Sequence, residues 1–130
     1  MRIIIADDHA IFRHGLKILL EKNNFNIVGE ASDGREAVKL TCRLQPDVVI
    51  ADINMPSLNG IEAVREIRKR VNPIQTIVLT MFEDEADVLE ALRAGVNGYV
   101  LKNQAPRDLL QALQELSMGR LYLSPAVAGA

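Results

Sequence analysis

Tryptophan is absent from the 130 residues and cysteine occurs once. The single thiol, Cys42, can form no disulfide within the chain, and it falls inside a helical pattern that asks there for a small apolar side chain. No His/Cys cluster at zinc spacing occurs. No apolar stretch approaches the roughly 20 residues that span a bilayer. Met1 leads straight into a strand pattern without a charged and apolar signal segment, so a cytoplasmic location away from any membrane is expected. Concentrated positive charge is missing as well: 15 Lys and Arg against 17 Asp and Glu give a net charge of -2. A chain without a basic face does not neutralise nucleic-acid phosphates by itself. Internal repeats and low-complexity segments are also lacking. What remains is 48% hydrophobic and 25% charged, a globular composition long enough for one core and too short for two.

Within that composition, Val48, Val49, Ile50 and Ala51 form an unbroken apolar run that stops at Asp52. A strand apolar on both faces is a buried one, central in a sheet covered by helices on both sides. Pro56 cannot continue the ladder, so Asp52 is expected at the carboxyl edge of the sheet, where α/β folds bind ligands. Arg2 to Ala6 is a second such strand, followed at once by Asp7, Asp8 and His9. Asn26 to Ala31 reads as a weaker edge strand. Thr76 to Leu79 is a fourth, leaving at Thr80, and Gly98 to Leu101 a fifth, leaving at Lys102.

Helical periodicity fills the intervals. From Ile11 to the Asn23, Asn24 stop, Ile11, Phe12, Gly15, Leu16, Ile18 and Leu19 cluster on one side. Ser32, Asp33 and Gly34 open a second helix that ends before Pro46, with Ala37, Val38, Thr41 and Leu44 recurring at three and four. A third, after Asn59 and Gly60, turns Ile61, Val64 and Ile67 inward as far as about Val71, and its Arg65, Arg68, Lys69 and Arg70 are solvated. The fourth, Glu83 to Ala94, is expected to face Val88, Leu89 and Leu92 inward. The fifth starts at Pro106, carries Leu109, Leu113 and Leu116, and stops near Gly119. Strand and helix alternate five times with no hairpin signal. That predicts an α/β, doubly wound, flavodoxin-like parallel sheet of five strands with five helices, in the order 2-1-3-4-5.

In that order Asp7, Asp8, Asp52, Thr80 and Lys102 all emerge on one edge, with strands one and three adjacent at the switch point. Two carboxylates about 5 Å apart repel by roughly 3 kcal/mol at an effective dielectric near 20, so a positive charge is expected between them. Oxygen ligands in an open cleft suit Mg2+. A carboxylate, a divalent cation, a hydroxyl and an ammonium are the parts for phosphoryl transfer to an aspartate. Taken singly, each also serves as a turn, cap or surface residue. His9 and His14 have no partner implied by spacing and read as structural.

At these residues the chain resembles the receiver domain of two-component response regulators. The motifs are Ile5 to His9, Asp52 to Pro56 with Asn59 and Gly60, Leu79 with Thr80, and Gly98 to Lys102. The resemblance implies that Asp52 accepts a phosphoryl group from a sensor histidine kinase. It implies Mg2+ held by Asp8, Asp52 and the backbone carbonyl of Asn54, with Asp7 acting through water. Thr80 and Lys102 would hold the phosphoryl oxygens, and Tyr99 would change rotamer on activation. Two positions depart from the family pattern. Asn103 stands where many receivers have proline after the lysine, and a cis bond before a non-proline costs roughly 3 kcal/mol, so none is assumed. Met81 stands where a small residue is usual, and its length would narrow access to the site.

The rival from another class is a haloacid-dehalogenase-like aspartyl phosphatase, which would need a second aspartate two residues after Asp52; Asn54 is there instead. A nucleotide or flavin binder would want a phosphate-cradling loop where Asp7 and Asp8 stand. The apolar arc of the first helix, Ile18 through Leu20, spans roughly 200°, wider than one buried stripe needs, and Leu110 lies at the margin of the last. Both leave surface for a partner, including a second copy of this chain. Residues 1–119 are expected to form the receiver. Gly119 to Ala128 resembles the junction of the NarL/FixJ branch, which implies that 120–130 begin a linker to a LuxR-type helix-turn-helix, and that any DNA contact is made by that domain.

Overall fold

The computed structural model describes residues 1–71, 73–81 and 84–124. Its order is β1 (Arg2–Ala6), α1 (Ala10–Lys22), β2 (Asn26–Ala31), α2 (Gly34–Leu44), β3 (Val48–Asp52), α3 (Gly60–Arg70), β4 (Gln75–Thr80), α4 (Glu85–Ala94), β5 (Gly98–Leu101), α5 (Arg107–Ser117) and β6 (Tyr122–Leu123). All strand pairs are parallel, in the order β2-β1-β3-β4-β5-β6. The expected five-strand order is present, with a sixth strand added at the β5 edge.

Side-chain alternation explains the two-sided apolar strands. Ile3, Ile5, Val48, Ile50, Ile77 and Leu79 pack under α1 and α5 with Leu16, Leu20, Leu109, Leu113 and Leu116. Their neighbours Ile4, Val49 and Val78 turn to the other face, against Val38, Ala63, Ile67, Val64 and Ala91 of α2, α3 and α4. Each fully buried Ile or Leu contributes about 2 kcal/mol, which makes the middle of the sheet a rigid platform for its edge. No helix among the described residues is long and apolar enough to cross a membrane.

Several expectations change. Leu89 and Leu92 do not face in: they are 48% and 41% exposed, while Ala91 and Ala94 are buried. Small residues let α4 lie close to Val78 and Tyr99, and the leucines, roughly 100° (Leu92) and roughly 160° (Leu89) round the helix from Ala91, are left outside. The helix begins at Glu85, capped by the Asp84 side chain, and the expected start at Glu83 lies outside the described residues. On α1 the broad arc divides: Leu16 and Leu20 are buried, Phe12 and Leu19 partly so, and Ile11 is 91% exposed. Pro106 is the N-cap of α5 rather than its first helical residue. Ala105–Pro106 is the cis peptide among the described residues, and the bond before Asn103 is trans.

Beyond Gly119 the chain turns back onto the sheet, at a point where the linker was expected to start. Gly119 adopts φ of 75°, which closes α5. Tyr122 then donates its N–H to the Asn97 carbonyl and Ser124 donates to that of Tyr99. Asp108, buried at the start of α5, accepts from the Tyr122 hydroxyl at 3.1 Å and from the Ser124 hydroxyl. Residues 125–130 lie outside the described residues.

Candidate functional site

Register brings the site together. Ala6 pairs with Ala51 between β1 and β3, so Asp7 and Asp52 follow on adjacent strands. Asp52 pairs with Leu79 on β4, and Thr80 with Leu101 on β5, which sets Thr80 and Lys102 on the same edge. The start of α3 clamps β3 from behind: the Gly60 N–H donates to the Ile53 carbonyl, and a Cβ on Gly60 would fall 2.3 Å from the Asp52 carbonyl oxygen. Glycine is therefore required there for the helix to approach the strand that carries Asp52.

Lys102 is the hub. Its Nζ lies 2.8 Å from Asp7 Oδ2 and 3.0 Å from Asp52 Oδ2, and 4.4 Å above the Phe12 ring. Asp7 and Asp52 are both buried, and Asp8, beside them, is exposed. The Asn54 N–H donates to Asp52 Oδ1 at 3.1 Å, and the His9 N–H to Asp7 Oδ1 at 2.8 Å. Arg13 reaches the Asp7 carbonyl at 2.6 Å and pairs with Glu30 at 3.1 Å, fixing the loop before α1. Thr80 is buried at its strand exit, and Met81 beside it is exposed. Tyr99 is fully buried.

Burial pushes the Asp52 carboxyl above its usual range; the Lys102 and Asn54 hydrogen bonds pull it down, and the Asp7 charge pushes it up further. Burial alone would lower Lys102, but its contacts with Asp7 and Asp52 outweigh that and raise it. Burial lifts the Tyr99 phenol to about 12, the neighbouring Thr80 hydroxyl opposing the rise. One ammonium thus serves two buried carboxylates, so the corner holds more negative than positive charge.

A hard cation fits that imbalance. Ligand atoms of Asp7, Asp8, His9 and Asp52 all lie within 4.8 Å of one another. Opposite oxygens on an ion with bonds near 2.1 Å lie about 4.2 Å apart, so little closure is needed. Asp7 Oδ2 is buried without a hydrogen bond of ordinary geometry, although it is ion-paired to Lys102. The donors are mostly carboxylate oxygens, as Mg2+ prefers.

Sequence reading missed two participants. His9 was set aside as structural, yet its Nδ1 lies 3.2 Å from Asp7, 3.4 Å from Asp8 and 3.1 Å from Lys102. Phe12 was read only as part of the first helix's apolar cluster; it packs against the core and also places its ring beneath the Lys102 ammonium. Their signal was position: both sit within the first turn after the acidic pair.

The model for the response regulator receiver domain matches residues 3–114. The transcriptional regulatory protein DegU of Brevibacillus brevis is 38% identical over 128 residues, 98% of this chain and 54% of that protein. A two-component response regulator of the LuxR family from Aurantimonas sp. SI85-9A1 superposes with a TM-score of 0.93 at 38% identity, over 98% of this chain and 92% of that one. The receiver of RcsB from Salmonella enterica serovar Typhimurium, solved with the phosphomimetic BeF3-, gives 0.90 at 34% identity over 98% and 96%. RcsB is also solved as two dimers bound to two parallel DNAs, where the match covers 98% of this chain, 66% of that chain, at 34% identity and a TM-score of 0.89. The chain spans little more than half the length of the DegU relative.

Proposed function

This chain belongs to the response regulator receiver domain family, and from that premise we propose that Asp52 accepts a phosphoryl group from the phosphohistidine of a sensor kinase. The observation that carries the proposal is a buried carboxylate, Asp52, with an ammonium 3.0 Å from one oxygen at the open edge of the sheet. An Asp52 carboxylate oxygen attacks phosphorus, the P–O bond forms as the P–N bond breaks, and the imidazole leaves with the electron pair. Lys102 and the Thr80 hydroxyl hold the phosphoryl oxygens. Asp8, Asp52 and the Asn54 carbonyl, with Asp7 through water, would hold Mg2+, which neutralises charge on those oxygens when bound. Thr80 moving towards the phosphoryl group stabilises the inward Tyr99, a population shift read out on α4, β5 and α5.

The chain is on this reading a switch that turns over no external substrate. Output is transcriptional and passes through a helix-turn-helix domain joined beyond 119, and dimerisation accompanies it. DegU and RcsB support that by what they are named for and solved with. The phosphatase alternative finds no support: Asn54 stands where its acid/base must be. Incubation with acetyl phosphate and Mg2+ is expected to add one phosphoryl group by intact mass, and none to Asp52→Asn. An adduct that survives in Asp52→Asn, or catalytic release of phosphate from many esters with no adduct, refutes the assignment.

A further inference from the structure

His9 is not required by the phosphoacceptor chemistry, yet its ring points into the middle of it. Its Nδ1 lies 3.2 Å from Asp7 Oδ1, 3.4 Å from Asp8 Oδ1 and 3.9 Å from Asp52 Oδ2, and 3.1 Å from Lys102 Nζ. Its backbone is fixed by its own N–H on Asp7 Oδ1 and by its place as the N-cap of α1. A proton on Nδ1 suits the three carboxylates and opposes the ammonium. A lone pair on Nδ1 suits the ammonium and opposes the carboxylates. One ring nitrogen cannot satisfy both sets.

A cation bound by the carboxylates removes the conflict with them if Nδ1 turns its lone pair to it, and Lys102 keeps its own pairs with Asp7 and Asp52. Adjacent ligands on an ion with bonds near 2.1 Å lie about 3 Å apart, close to the 3.4 Å between Nδ1 and Asp8 Oδ1. We propose that His9 Nδ1 is a direct ligand of the metal site, making it a mixed nitrogen and oxygen site that favours first-row transition ions such as Mn2+ over Mg2+. This rests on the metal reading given above for Asp7, Asp8 and Asp52. Imidazole gains little from Mg2+, which prefers oxygen, and more from ions further along the divalent series. The ring is 65% exposed at its side chain, so it can turn without disturbing the core.

Calorimetric titration of the wild-type chain, His9→Ala and Asp8→Asn with Mg2+ and Mn2+, together with pulsed electron spin-echo spectra of the Mn2+ complexes, tests this. His9→Ala is expected to weaken Mn2+ binding about tenfold, in the range for loss of a group that supports a metal site, and to leave Mg2+ affinity within about twofold. The wild-type Mn2+ spectrum is expected to show nitrogen modulation that His9→Ala lacks; the wild-type spectrum is informative even if the variant folds poorly. Absence of that modulation, or an unchanged Mn2+ to Mg2+ ratio in His9→Ala, overturns the role of His9 and leaves the acidic site standing. If instead neither ion binds the wild type, or Asp8→Asn binds both as well as the wild type does, the acidic site itself fails, and the role of His9 with it.

Discussion

Of the buried carboxylates, Asp108 and Asp52 are satisfied in opposite ways. Asp108 accepts from two neutral hydroxyls, those of Tyr122 in β6 and of Ser124 just after it. Asp52 shares one ammonium with Asp7 and takes a single backbone N–H. Burial and the Asp7 charge keep the Asp52 carboxyl above its ordinary range. Donors that come from the fold and match the acceptor in number make a fastener. Charges that outnumber their partners make a site whose free energy changes when a cation or phosphoryl group arrives.

Removing the fastener gives the largest effect. Asp108→Ala leaves two buried hydroxyl donors without their acceptor and is expected to cost about 2–4 kcal/mol in urea denaturation. Acetyl phosphate should still label the folded fraction. Loss of labelling in folded Asp108→Ala would break the distinction between the two carboxylates. Next comes Tyr99, which joins the regions, since its carbonyl accepts the Ser124 N–H while its ring lies against the Thr80 end of the sheet. Its phenol titrates near 10 unfolded and about 12 folded. A raised folded pKa contributes stability that is fully present below pH 10 and lost between about pH 10 and 12. Two pH units correspond to about 3 kcal/mol as an upper figure. Wild type should lose that much more than Tyr99→Phe across this window, and subtraction cancels the contributions of Lys102 and Tyr122.

Much of this contrast was legible in the sequence, and the reasons are local. Two-sided apolar runs such as Val48 to Ala51 place their own ends, so the sequence alone sets Asp7, Asp52, Thr80 and Lys102 on one edge. Asp108 could not be read as buried, because its donors arrive from Tyr122 and Ser124 in a segment too short and irregular to signal a strand. Leu89 and Leu92 could not be read as exposed, because their bulk suggested an inward face, while packing chose Ala91 and Ala94 for closeness to the sheet. His9 escaped because the convergence of three carboxylates on its ring depends on the turn into α1, which spacing does not encode.

A smaller effect sharpens the picture at Asp52. At neutral pH its charge is held beside Asp7, so Asp52→Asn should stabilise the fold by about 1 kcal/mol at low ionic strength. The sign follows from its raised folded pKa: the contribution of Asp52 favours folding below the unfolded value and is lost as pH rises through the folded one. The gain in Asp52→Asn should therefore vanish in acid, where both side chains are neutral. A gain that persisted unchanged at low pH would assign the effect to packing rather than charge.

The smallest effect expected is at Glu115. It pairs with Arg120 at 3.2 Å below β6, and its charge contributes, after burial and Asp108, to holding the Tyr122 phenol up at about 12. The Arg120 side chain is 64% exposed, so solvent and salt screen the pair. Glu115→Gln keeps the backbone bond from the Arg120 N–H to the Glu115 carbonyl. Its cost should stay within about 0.5 kcal/mol and disappear in high salt. In a Tyr99→Phe background, tyrosinate absorbance should show the Tyr122 phenol moving down while remaining above its ordinary value, because burial and Asp108 outrank Glu115. If Glu115→Gln cost as much as Asp108→Ala, β6 would be held by surface charge, and Asp108 would no longer stand as the neutral-donor counterpart of Asp52.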